Sequence, residues 1–155
     1  MGTMHAPVLV ATHHASTADR VVERAARLAV AVGAELHAVS VVPDLVIGAA
    51  VGLAGAEALT REAAAHRESC AQALARATAL GREVGAAVTE HLVEGEPAAR
   101  IAHVADTIGA DLIVLGSRGL DAAGRYVLGS VPERLLFDPH GHDVLVVRNS
   151  GFLPG

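Results

Sequence analysis

Asp111-Leu-Ile-Val-Leu-Gly-Ser-Arg-Gly119, followed after nine residues by Gly129-Ser130, is the stretch on which the fold turns. Leu112 to Leu115 form a continuous apolar run with β-branched residues, the pattern of a strand covered on both faces. The run stops at Gly116, and the next helical pattern starts only at Ser130. Loops from strand to helix in α/β units usually take about 2 to 6 residues, so the extra length here points to function or to disorder. Glycines at 116 and 119 let backbone amides approach an anion with no Cβ in the way. Gly129-Ser130 places further amides and a hydroxyl at a helix start, where the dipole favours negative charge. The whole corner is the size of a phosphate.

The rest of the chain repeats the same alternation. Val8-Leu-Val-Ala11 reads as a strand, and Thr12-His-His-Ala-Ser-Thr17 as a polar loop. A helix follows with Ala18, Val21, Ala25, Leu28 and Val32 at helical spacing, ended by Gly33. Glu35 to Val42 is a second strand, terminated by Pro43-Asp44 because proline cannot continue a ladder. Residues 44 to 55 are apolar but glycine-rich and aperiodic, which predicts a loop or lid. A long helix is predicted from about Glu57 to Leu80, with Leu59, Ala63, His66, Cys70, Leu74 and Ala77 on one stripe. Ala86 to Val93 is a third strand, and Glu94-Gly-Glu-Pro97 a turn placing proline first in a helix that runs to Ile108. Strand 111 to 116, a short helix from Ser130 to Phe137 and a strand over Val144 to Val147 complete the order. Strands alternating with helices predict one α/β domain over residues 1–155, with its core at about 6–148: an open, Rossmann-like parallel sheet with helices on both faces.

In such sheets ligands sit beyond the carboxyl ends of the strands, where the winding reverses. That rule gathers His13, His14 and Ser16, the backbone of Val41 and Val42, and the 116 to 130 loop with Arg118 and Arg125. The composition limits what they do. A net charge of −5 argues against a nucleic-acid surface, which needs clustered cations. All 12 basic residues are arginine, which excludes a phosphate-loop lysine and Schiff-base chemistry. No Gly-x-x-x-x-Gly-Lys-Ser/Thr, Gly-x-Gly-x-x-Gly after the first strand, or Gly-x-Ser-x-Gly occurs, so no enzymatic activity beyond slow hydrolysis of a bound phosphate compound is expected. Asp121 reads as a solvated loop carboxylate. The lone Cys70 forms no internal disulfide and reads as a small buried hydrophobe. No run reaches the ~18 apolar residues of a membrane helix, and no secretory start is visible in Met1 to Val10, so a cytoplasmic protein without membrane contact is expected. Among nine histidines, His13-His14 and His140-Gly-His142 are the closest pairs. They fall at opposite ends of the sheet and each supplies two ligands, so no metal site is expected and loop histidines are read as solvated. His37 and His66 are expected to be partly buried, and His91 and His103 to be unremarkable.

Gly-x-x-Gly-x9-Gly-Ser after a buried strand resembles the nucleotide-binding signature of the universal stress protein family. Val8-Leu-Val-Ala11, Glu94-Gly-Glu-Pro97, the run from Gly109 to Gly119, Gly129-Ser-Val131 and Val144-Leu-Val-Val-Arg148 also look like that family. The resemblance implies a five-stranded sheet in order 3-2-1-4-5 and a homodimer formed through the last strand. It implies ATP or a related adenine nucleotide, with Mg2+, as ligand: Gly116, Arg118, Gly119, Gly129, Ser130 and Val131 around the phosphates, Val41 at the adenine and His13 near the ribose. Two positions depart from the ATP-binding branch. His13 stands where an aspartate is typical, and Pro132 where a second hydroxyl is common; proline supplies neither hydroxyl nor N–H. A stress-response module that binds nucleotide and a dimeric scaffold that does not therefore both remain open.

Overall fold

The computed structural model describes residues 5–13, 18–44, 53–117, 129–138 and 141–148. Its elements are β1 (Val8–Ala11), α1 (Ala18–Val32), β2 (Leu36–Val42), α2 (Leu53–Val84), β3 (Val88–Glu94), α3 (Pro97–Ile108), β4 (Leu112–Gly116), α4 (Ser130–Leu136) and β5 (Asp143–Val147). The five strands form one sheet in order β3-β2-β1-β4-β5. Every pairing is parallel, with Val8 beside both Leu36 and Leu112, Leu36 beside Val88, and Leu112 beside Asp143. The chain winds outward from β1 to β3, then crosses back to lay β4 on the other side of β1. The switch point lies between β1 and β4.

Side-chain alternation splits the core into two layers. Val8 and Val10, Leu36 and Ala38, and Val114 face α1 and α2. Leu9, Val39, Ile113 and Leu115 face α3 and α4. The core is aliphatic, as the composition predicts, and alanine sets its spacing. Ala25, Ala26 and Ala29 of α1 are fully buried, so that helix lies close on the sheet. Asp19 of α1 accepts two hydrogen bonds from the Arg76 guanidinium of α2, at 3.2 and 2.7 Å, tying the two helices together at their exposed edge.

One predicted element is revised. α2 begins at Leu53 and ends at Val84, so residues 53 to 55 of the predicted loop are helical; residues 45–52 lie outside the described ones. The helix also runs past the expected end at about Leu80, through Gly81. A Cβ at Gly81 would lie 2.6 Å from Val88 Cγ2 and 3.3 Å from Leu36 Cδ2, so the glycine admits β2 and β3 against the helix rather than ending it. The helix stops at Gly85, whose φ of 99° suits glycine.

Candidate functional site

The carboxyl edge of the sheet collects the ends of β1, β2 and β4 and the start of α4. Beyond β1, the Thr12 amide donates to the Val39 carbonyl at 2.9 Å, and Thr12 is buried while His13 is exposed. The Cys70 thiol points at the Val41 carbonyl, 3.7 Å away. Gly116 is the last residue of β4, and the Ser117 amide continues the ladder onto the Val147 carbonyl at 2.8 Å. Val131 packs against the α3 layer and Pro132 is buried, which fixes the start of α4 to the sheet.

Two helix starts reach this edge on the same face, and they are furnished differently. At α3, the Ala98 and Ala99 amides donate to the two carboxylate oxygens of Glu96, at 3.2 and 2.7 Å, with Pro97 opening the helix. Burial pushes against the charged form of Glu96, but the bonds from Ala99 and Ala98, and then from Arg134, outweigh it and hold the carboxyl below its ordinary value. At α4, the residue before the helix is Gly129, buried and extended, with no side-chain cap. The first-turn amides of Ser130 and Val131 have no partner within the helix, the Glu133 amide turns back to the Gly129 carbonyl at 3.2 Å, and Pro132 carries no N–H. Arg134, in the last turn of α4, donates to Glu96 at 2.6 Å and so ties α4 to the start of α3.

Of the residues expected at a ligand, His13, Val41, Gly116, Gly129, Ser130 and Val131 fall on this one edge. Arg118, Gly119, Arg125 and Asp121, together with His14, Ser16 and His140, lie outside the described residues. Sequence reasoning missed Glu96, whose Glu-Pro placement before a helix was the available signal, and Arg134.

Two histidine readings are corrected. His142 is not a solvated loop residue: its side chain is 11% exposed, Nε2 lies 2.7 Å from Asp106 and Nδ1 3.0 Å from the Ala110 carbonyl. It pins the entry of β5 to the end of α3, beside a cleft of about 410 Å³ lined by Asp106, Asp111 and Asp143. That cleft sits at the amino end of the sheet, away from the loops of the candidate site. His91 is not unremarkable either, since it stacks on His37 with ring centroids 5.1 Å apart. Among the described residues no three His, Cys, Asp or Glu side chains could hold a metal ion, and no helix is long and apolar enough to cross a membrane.

An open, doubly wound parallel sheet whose winding reverses between β1 and β4 defines the Rossmann-like class of α/β proteins. Residues 4–148 match the model of the universal stress protein family, and the chain belongs to that family. A universal stress protein of Methanocaldococcus jannaschii is 37% identical over 82 residues, a match covering 53% of this chain and 48% of that protein. A universal stress protein solved in complex with cAMP is 28% identical, with a TM-score of 0.71 and coverage of 96% of this chain and 100% of that one. The universal stress protein UspA from Lactobacillus plantarum superposes with a TM-score of 0.77 at 22% identity, covering 94% of this chain and 99% of that one. This last likeness shows the fold.

Proposed function

We propose that the chain binds an adenine nucleotide, ATP or a related one, across the carboxyl ends of β1, β2 and β4, and acts as a stress-response module in the cytoplasm rather than as an enzyme. The observation that carries this reading is the start of α4: two first-turn amides, a serine hydroxyl and no cap, next to the end of β4 at the switch point. The full-length likeness to a family member solved with cAMP supports the ligand class. In this reading Ser130 and the amides of Ser130 and Val131 meet phosphate, the Val41 backbone meets adenine, and His13 offers a ring nitrogen to the ribose. Arg118 and Gly119 complete the phosphate loop, with Mg2+ as counter-ion to a triphosphate. The same fold supports a homodimer through β5, an edge strand flanked by exposed Leu145, Leu136 and Phe137, the last 81% exposed.

Titration calorimetry of the chain with ATP and Mg2+, with AMP and with cAMP tests the binding. Heat with any of them supports the reading. With no tryptophan and one tyrosine, the protein absorbs little, so adenine retained through purification is visible near 260 nm. A second reading, a dimeric scaffold without nucleotide, is favoured by Pro132, which removes the third amide from the start of α4. No heat and no thermal shift at millimolar nucleotide would establish it instead. Phe137→Asp is expected to give monomers in sedimentation analysis, and a dimer that survives it places the interface elsewhere.

A further inference from the structure

On the α3 side of the sheet, away from the candidate nucleotide edge, two histidines on neighbouring strands touch. Leu36 and Ala38 face α1 and α2, so His37 between them faces the α3 layer; His91 lies between Glu90 and Leu92 in β3 and faces the same way. His37 Nδ1 lies 2.8 Å from His91 Nε2, and the rings are stacked at 17° between planes. His37 Nε2 faces the carboxylate of Glu35 at 3.4 Å. Glu35 can only accept when ionised, so His37 carries its proton on Nε2 and, when neutral, presents the bare Nδ1 to His91. His91 Nε2–H then donates. One further proton fits this arrangement: a charged His37 donates from both nitrogens, to Glu35 and to His91, and the contact keeps its single hydrogen. A second extra proton leaves two N–H groups facing each other and two like charges in contact.

We propose that His37 and His91 form an acid-sensitive joint between β2 and the edge strand β3, closed while the pair holds at most one extra proton and forced open when both imidazoles are charged. Few other charges compensate. Glu35 is the carboxylate in contact with the pair. Glu90, beside His91, turns to the opposite face, where it accepts from the Thr78 hydroxyl of α2. The residues of α3 that pack this face are apolar Ile101, Val104 and Ile108; its Asp106 is engaged by His142, Arg100 packs against Gly95, and His103 is exposed. Burial, and then the charge of His37, hold His91 below the ordinary histidine value of 6.5. The unfolded chain therefore binds this proton first, and stability intact above pH 6.5 is lost as pH falls below it.

The test combines two measurements on the intact chain. Urea-unfolding midpoints are taken at pH 7.5 and pH 5.0 for the parent, His91→Leu and His37→Leu. The parent should lose more of its midpoint on acidification than either variant; equal losses in all three would overturn the joint. Should the variants fail to fold, histidine ring nitrogen NMR on the parent decides. The expected spectrum at neutral pH has a proton on Nε2 of both rings, with His91 the last of the two to become charged. Simultaneous titration of the two rings at the ordinary histidine value would overturn the proposal.

Discussion

The starts of α3 and α4 lie on the same face and the same edge of the sheet, yet one is capped by a carboxylate and the other has no side-chain cap. Glu96 gives α3 a carboxylate that takes two amides and a guanidinium. Gly129 gives α4 nothing, and Pro132 removes a donor from the turn. A helix start with a side-chain acceptor gains stability from it; one without a side-chain cap can offer its first-turn amides to a ligand. The contrast separates a structural terminus from a candidate binding one within a single fold.

Placing a carboxylate at the open start is the strongest way to break the contrast. Gly129→Asp should reduce adenine-nucleotide affinity more than tenfold in calorimetry, because a fixed charge would occupy the amides that meet phosphate. Unchanged affinity would remove α4 from the site. Next in size, Glu96→Ala should cost about 0.5 to 2 kcal/mol of unfolding free energy in urea, the usual range for losing a cap, with nucleotide affinity altered far less. The pH dependence sharpens the same point. Glu96 is held below its ordinary 4.5, so its stabilisation is present above that value and is lost as pH falls through the lower folded-state value. The stability gap between the parent and Glu96→Gln should accordingly be widest at neutral pH and narrow below pH 4.5. The smallest effect belongs to Arg134→Ala. Its partner Glu96 is 45% exposed and Arg134 64% exposed, so the loss should be about 0.5 kcal/mol or less.

Much of this was legible in sequence because local signals agreed with the fold. Pro97 and Gly109 bracket α3 as expected, and the apolar runs at 8–11 and 112–115 are buried strands with the implied neighbours. The failures arose where a residue serves a distant partner. The helix expected to end near Leu80 continues through Gly81, which shows its packing role only beside Val88 and Leu36. His142 reads as a loop residue until Asp106, 36 positions away, closes on it. His37 and His91 are 54 positions apart, and only the register of β2 with β3 brings them together. Glu96 was hidden differently, since glutamate is not among the usual capping residues and its reach to two amides depends on the turn before Pro97. For the candidate site, the sequence supplied the glycines, the serine and the strand ends; the contrast in capping needed coordinates.

Gly81 has a mechanical consequence. A helix of 32 residues is about 48 Å long at 1.5 Å per residue. From Gly55 to Gln72 none of its residues is buried; burial begins at Ala73 and continues to the contact at Gly81. Any larger side chain at that contact would collide with Val88, so the close approach of the helix to the strands there depends on glycine. α2 is thus anchored through its second half, its first half staying exposed or only partly covered and tied to β3 by the ion pair of Arg67 with Glu94.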